Sequence, residues 1–341
     1  MAYINKNNIE FRKSIYVGRC EFGDKMKMRI DKLTLVSDIS NEREKENFIK
    51  NIRKLKADNN IFFTIHRIFT KKEHPYKSTI IIRKKNKNKN MLLRIDFSPY
   101  RKETGFIRFE FRPQHLNKRQ LSELLIFLNQ KTKTKFVQVL NLAWITQLDI
   151  ALDLYHKKLK DYIWGLTNAS SYRSFNKPHG LPGLRIGSNT SRLHFLCYEK
   201  IDIAGNTIKC INDHINIDID KYDYFLRIEA RIRPKKKSSK DKVNLSFLDE
   251  LANMKNPFIG LKIYSLKLLS KLNEDEVNIQ SSSLSILSSD SFLLKNKISR
   301  VSRKNGRLIK EYETSLFDID LIWKKWYKCY AILAEAIDDL N

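Results

Sequence analysis

Hydrophobic and polar residues alternate with a period of two in a series of short stretches along the first two thirds of the chain, and that period predicts extended strands. The first is Met28-Arg29-Ile30-Asp31-Lys32-Leu33-Thr34-Leu35-Val36. A helical spacing follows, with Phe48, Ile49, Ile52 and Leu55 on one face and Ser40 as the expected N-cap. Strand-like runs resume at 61–69, 78–83, 91–97 and 106–112, and the stripe Leu121, Leu124, Leu125 and Leu128 predicts a helix within 114–133.

The pattern then starts again. Gln147-Leu148-Asp149-Ile150-Ala151-Leu152-Asp153-Leu154 alternates, a helical spacing follows at Leu159, Tyr162, Ile163 and Leu166, and further extended runs end near Glu229. Both halves close on similar words, Arg108-Phe109-Glu110-Phe111-Arg112-Pro113 and Arg227-Ile228-Glu229-Ala230-Arg231-Ile232-Arg233-Pro234. The pattern predicts an α+β fold in which two duplicated strand-helix-strands halves join into a curved antiparallel sheet, with helices on one face and the other face left for a ligand. After Pro234 come a basic linker at 235–240, helical spacing through Leu245, Leu248, Leu251 and Ala252 and again over 261–272, and a serine-rich loop at 281–289. A last helix sets Ile319, Ile322, Trp323, Trp326, Tyr330 and Leu333 on one side, an aromatic stripe that reads as core. The expected division is an N-terminal α+β half (1–133), a catalytic α+β half (134–234) and a helical C-terminal region (235–341).

Composition narrows the partner. In 341 residues, lysine and arginine leave a formal net charge of +27. Part of that excess belongs to the Lys-, Asn- and Ile-rich usage of an AT-rich genome, but the field still favours a polyanion, above all nucleic acid. The four cysteines, Cys20, Cys197, Cys210 and Cys329, form no CxxC pair. No apolar run approaches the ~20 residues that span a bilayer, and residues 1–6 lack a signal-peptide core. A reduced, cytoplasmic protein with no membrane partner is the expectation.

Three of the alternating stretches carry chemistry on their polar faces. Asp149, Ala151 and Asp153 share one; Arg192, His194 and Tyr198 share a second; Arg227, Glu229 and Arg231 share a third. If the three strands are neighbours, carboxylates, a tyrosine and guanidiniums converge, an inventory suited to metal-assisted phosphoryl transfer to a tyrosine. The metal candidates are Asp149, Asp153 and Glu229. Glu199 is a weaker one, since alternation sends it to the other face unless a bulge returns it. Carboxylate ligands suit Mg2+ or Mn2+. Salt bridges with the strand arginines would use the same acids equally well. His194 suits a proton relay, a phosphate donor or a solvated strand position. For DNA contact the candidates are Arg192, Arg227 and Arg231, the basic hairpin tip with Lys84, Lys85, Lys87 and Lys89, and Lys267 with Lys271 on one helical face.

The segment Leu184-Arg185-Ile186-Gly187-Ser188-Asn189-Thr190-Ser191, running on to Cys197-Tyr198-Glu199-Lys200, resembles the "IGSR-S…YEK" signature of plasmid rolling-circle replication initiators and related phage replication factors. Leu148 to Asp153 resembles their "RLDLAID" strand, and Leu226-Arg227-Ile228-Glu229 their "RIE" strand. Order and approximate spacing agree over roughly residues 20–270. Gln147, Arg185 and Asn189 depart from the usual arginine, tyrosine and arginine, which bears on phosphate contact. The histidine-hydrophobe-histidine signature of the other large class of rolling-circle nickases is absent, with His66, His115, His156 and His179 scattered. The resemblance implies Tyr198 as nicking nucleophile, a 5′-phosphotyrosyl intermediate, binding of double-stranded origin DNA and of single-stranded DNA, and origin recognition around Ile263 to Leu272. It also implies a homodimer and a host helicase as partner. Two other readings fit the same residues: a non-catalytic DNA-binding regulator of this fold, and a relaxase-like mobilisation nickase.

Overall fold

In the computed structural model the described residues are 15–19, 25–39, 41–55, 63–69, 74–85, 91–113, 118–134, 136–167, 169, 171–176, 181–204, 207–210, 224–234, 248–268, 310–314 and 316–330. The first half supplies β1 (Ile15–Arg19), β2 (Lys25–Ser37), α1 (Glu42–Arg53), β3 (Phe63–Phe69), β4 (Tyr76–Lys84), β5 (Met91–Pro99), β6 (Ile107–Phe111) and α2 (Lys118–Thr132). After α3 (Phe136–Asn141) come β7 (Trp144–Tyr155), β8 (Tyr162–Leu166), β9 (Tyr172–Asn176), β10 (Pro182–Ile186), β11 (Leu193–Ala204), β12 (Thr207–Cys210) and β13 (Tyr224–Ile232). The chain goes on to β14 (Leu261–Ser265) and α4 (Ile319–Trp323).

Twelve of these strands form one sheet, in the order β3-β4-β5-β6-β2-β7-β13-β11-β10-β9, with β1 added to β2 and β12 to β11. Neighbours run antiparallel, and the fold is α+β. β2 is long enough to pair with β1 through 25–28 and with β6 through 33–37 along one edge, while β7 takes the other. Strict alternation would put Ile30 and Leu33 on opposite faces, yet both are buried in the core. A register shift against β7 between Ile30 and Lys32 resolves this by changing the phase of the strand.

One face of the sheet is apolar. Leu148, Ile150, Leu152 and Leu154 of β7 join Phe195 and Cys197 of β11 and Ile228 and Ala230 of β13 in it. Phe48 and Ile52 of α1, the Leu121/Leu124/Leu125/Leu128 stripe of α2 and Ile322 and Trp326 near the C-terminal end belong to the same core, so helices cover this face. α1 starts one residue later than its expected cap. Asn41 accepts hydrogen bonds from the Arg43 and Glu44 amides at 2.9 and 3.4 Å, as an extended N-cap residue does; Ser40 lies outside the described residues.

Two expected helices are strands. Residues 159–166 form a single 3-10 turn followed by β8, and 261–265 form β14; the two pair with each other in a separate two-stranded sheet. Tyr162-Ile163-Trp164 is aromatic and β-branched, which favours a pleated surface over a helix. The helical spacing there covered barely two turns and could not decide the matter. The expected helix through Leu248 and Leu251 is a 3-10 segment, Leu248–Asn253. The aromatic stripe near the C-terminus is core: Trp326 is buried and its ring stacks on Trp323 at 4.9 Å between centroids. Residues 235–240, Leu245, 281–289 and Leu333 lie outside the described residues, so the helical character expected of 235–341 is described only in these pieces. No described helix is long and apolar enough to cross a membrane.

Candidate active site

The sheet order sets β7, β13 and β11 side by side, and the register aligns their polar residues into three cross-strand rows. Asp149, Arg231 and His194 form one row; Ala151, Glu229 and Leu196 the next; Asp153, Arg227 and Tyr198 the third. β2 extends the rows with Lys32 beside Asp149, Arg29 beside Ala151 and Lys27 beside Asp153. On the far side β10 sets Gly183 opposite Tyr198 and Arg185 opposite Leu196. A strand face that elsewhere would be solvated here buries Asp149, Asp153, His194, Tyr198, Arg227 and Glu229.

Within this surface two clusters separate. In the first, the Tyr198 hydroxyl donates to Glu229 Oε2 at 3.1 Å. Arg231 bridges the two carboxylates, Nη2 to Glu229 Oε1 at 2.7 Å and Nε to Asp149 Oδ2 at 3.1 Å. The Gln147 amide donates to both oxygens of Asp149, at 2.8 and 3.0 Å. Burial, and after it the charge of Glu229, push the Asp149 carboxyl up to about 7 despite Arg231. Burial and Glu229 likewise hold the Tyr198 phenol well above its ordinary value. The phenol is therefore a protonated donor, and Glu229 is the oxygen positioned to receive its proton.

The second cluster is an ion-pair network. Arg227 grips Asp153 with two parallel hydrogen bonds, Nε to Oδ1 at 2.6 Å and Nη2 to Oδ2 at 2.8 Å, and its Nη1 reaches Asp31 Oδ1 at 3.1 Å. Arg29 lies 3.5 Å from the same Asp31 oxygen. Burial opposes the Asp153 charge, but Arg227 and Arg29 outweigh it and keep that carboxyl below its ordinary range. The buried Lys200 shares this surroundings, and its ammonium lies 5.9 Å from the centroid of the Tyr198 ring. Burial, then Arg227 and Arg29, push Lys200 well below its ordinary value. Asp31, Arg29 and Lys200 were not singled out from the sequence. Arg29 and Asp31 do alternate with Met28 and Ile30, which marks a polar face, but only the pairing of β2 with β7 shows what that face meets.

The remaining candidates are scattered. The register shift at Glu199/Ile201 does not bring Glu199 to the tyrosine; its Oε1 accepts from the Leu159 amide at 2.9 Å instead. Arg192 is exposed in the turn before β11, and its carbonyl accepts from the Arg233 amide at 2.7 Å. Lys84 ends β4 and Lys85 follows it, exposed, at the start of the β4–β5 connection; Lys87 and Lys89 lie outside the described residues. Lys267 is exposed just after β14, and Lys271 lies outside, so the helical face expected to join them is not described.

Among the described residues no three His, Cys, Asp or Glu side chains are grouped to hold a metal ion. Asp149 and Glu229 nonetheless fit a hard divalent cation, which commonly takes one or two carboxylates and completes its shell with water and substrate phosphate. Burial and, after it, repulsion from Glu229 raise the Asp149 carboxyl, and such a cation would offset both. Asp153, committed on both oxygens to Arg227, is not part of that pair.

No protein-family model matches the chain, and no curated protein does. Among solved structures, the chain is similar to a rolling circle replication initiator protein from Geobacillus stearothermophilus, with a TM-score of 0.32 and 15% identity over 61% of this chain and 74% of that one.

Proposed function

We propose that this chain is an initiator of rolling-circle replication, a site-specific strand-transferase that nicks one DNA strand through Tyr198 and later rejoins it. The observation that carries the reading is the 3.1 Å hydrogen bond from the Tyr198 phenol to Glu229, beside a guanidinium and a second carboxylate. A phenol is a weak nucleophile until a neighbouring group takes its proton. Glu229 accepts that proton as the phenol oxygen attacks phosphorus. The bond from phosphorus to the 3′ oxygen breaks, the leaving oxygen takes up a proton, and the products are a 5′-phosphotyrosyl link and a free 3′-hydroxyl. Attack by a 3′-hydroxyl on the phosphotyrosine reverses the step and closes the strand. Arg231 is placed to offset charge growing on the phosphate. Mg2+ or Mn2+ held by Asp149 and Glu229 would act as a Lewis acid on the phosphate oxygens.

The duplicated reading of the chain belongs to the same proposal. The sheet order runs β2-β6-β5-β4-β3 outward on one side of the β2–β7 boundary and β7-β13-β11-β10-β9 on the other, which supports two equivalent half-sheets. Origin DNA, a homodimer and a host helicase as partners stay as the sequence resemblance implies them.

The test is covalent capture. Protein, supercoiled plasmid carrying the gene and its flanks, and Mg2+ or Mn2+ are combined, the reaction is stopped with detergent, and peptide-bound DNA ends are sequenced. Wild type should yield one adduct position, mapped by mass spectrometry to Tyr198, lost with EDTA and absent from Tyr198→Phe although that variant still binds DNA. An adduct of undiminished yield in Tyr198→Phe would overturn the assignment. DNA binding without any adduct would identify the protein as a regulator instead.

A further inference from the structure

The β10–β11 hairpin and the end of β13 hold a second group of residues, of which only Arg231 enters the nicking step. Gly187 turns the chain there with φ +96°, and a Cβ on it would lie 3.1 Å from the Cβ of His194. The His194 ring is fully buried, yet neither Nδ1 nor Nε2 makes a hydrogen bond of ordinary geometry, a rare condition for a buried polar group; the backbone at Ser191 offers it only a weak contact. Three half-exposed guanidiniums surround it. Arg231 is its cross-strand partner. Arg233, two residues on, is fixed by its amide on the Arg192 carbonyl and by its guanidinium on the Asn189 carbonyl. Arg185 sits diagonally on β10, opposite Leu196, with a buried Nε that also lacks a partner.

The charges do not cancel. Arg231 is met by Asp149 and Glu229, but among the described residues neither Arg185 nor Arg233 forms an ion pair. Burial first, then Arg231, Arg233 and Arg185, hold the imidazole down to about 4, so it is neutral and keeps one N–H to donate. A neutral donor beneath two unmatched guanidiniums is built for an oxyanion that spans them, as a phosphate does. We propose that Arg185 and Arg233, lying over the buried His194, bind an internal phosphodiester of the DNA strand. His194 lies four positions before Tyr198 on β11, about 13 Å along a strand, so the phosphate held here lies a few nucleotides from the one attacked. The proposal rests on the DNA reading of the face but not on the nicking step.

Histidine-ring NMR tests it on the full chain, with the seven histidines labelled and His194 assigned through His194→Gln. The probes are dT10 without terminal phosphates, 5′-phosphorylated dT10 and inorganic phosphate. Unphosphorylated dT10 should shift the His194 ring signals saturably, in Tyr198→Phe as in wild type. In Arg185→Gln/Arg233→Gln the midpoint should rise about tenfold or more. Ring signals that no probe moves would overturn the site, as would a shift unchanged in the double variant. A response confined to the 5′-phosphorylated oligonucleotide or to inorganic phosphate would overturn the internal position. The wild-type titration decides even if the double variant does not fold. A saturable dT10 shift in a protein that forms no adduct supports the site while removing the nicking reading.

Discussion

Asp149 and Asp153, two residues apart on β7 and alike in sequence, should respond in opposite ways to neutralisation. Asp153 is fully buried with both oxygens on Arg227. Asp153→Asn leaves that guanidinium half-matched in the interior, and breaking a buried pair costs about 3–5 kcal/mol. Asp149 is equally buried, but its carboxyl has moved from 3.8 up to about 7. A displacement of that size disfavours the charged folded form by about 4 kcal/mol above neutrality. Asparagine removes this penalty and gives up the Arg231 contact, while Arg231 keeps Glu229; a net gain of about 1–3 kcal/mol at pH 8 is expected.

The pH dependence separates the two further. The folded state holds the Asp149 proton more tightly than the unfolded chain, so this group's burden lightens as pH falls from about 8 towards 5. Asp153 is held low in the folded state, so its contribution is full above about 4 and fades as pH drops below that, at up to about 1.4 kcal/mol per pH unit. Wild type should therefore be most stable near pH 5. Asp149→Asn should lose the slope between 5 and 8, and Asp153→Asn should draw level with wild type in acid. Urea unfolding followed by tryptophan fluorescence, in EDTA from pH 3 to 8, measures both. If Asp149→Asn destabilises the protein at pH 8 by more than about 1 kcal/mol, the repulsion assigned to Asp149 and Glu229 is wrong.

Two further outcomes can be checked alongside. Gly187→Ala forces a side chain into a left-handed conformation against His194 and should cost about 1–3 kcal/mol in the same unfolding assay; a change under about 0.5 kcal/mol would mean that the hairpin adapts freely. Replacing Lys84 and Lys85 by alanine should weaken binding to all duplexes alike and lower the slope of log K against log salt by about 0.9 per lost phosphate contact, whereas a selective loss for one DNA sequence would place recognition on this loop.

Alternation alone made most of the sheet legible. Strands expected at 28–36, 78–83, 91–97 and around 147–154 are present with their apolar residues in the core, because a half-buried strand must carry that pattern. Pairing was not legible: nothing in 28–36 says that β2 lies against β7, and so Asp31 could not be assigned to Arg227. Bulges were equally hidden, since one unpaired residue reverses the face of everything after it. That is why Glu199 was left open and Lys200 missed. Helical spacing was read at 159–166 and 261–265, where β8 and β14 lie, because five-residue strands carry too short a pattern to distinguish the two periods.

The duplicated reading we propose also gives a reason for chemistry to reside in one half. Arg108 then corresponds to Arg227, Glu110 to Glu229 and Arg112 to Arg231. Asp96, the cross-strand partner of Arg108, corresponds to Tyr198, the partner of Arg227. In the first half these positions close on themselves. Asp96 receives Arg94 at 2.8 Å, Arg108 at 2.5 Å and the Thr79 hydroxyl at 2.5 Å, while Glu110 takes Arg108 and Arg112 at 3.1 and 2.9 Å. Such a network leaves its carboxylates nothing to offer a substrate, and the hydroxyl it contains, that of Thr79, is already donated to Asp96. In the second half the acid opposite the arginine is a phenol, Asp149 has moved up to about 7, and neither ring nitrogen of His194 makes a hydrogen bond of ordinary geometry. Among the described residues of these two corresponding networks, the raised carboxyl and the imidazole without a close hydrogen bond both lie on the β7 side of the β2–β7 boundary, and the substrate strand is expected there.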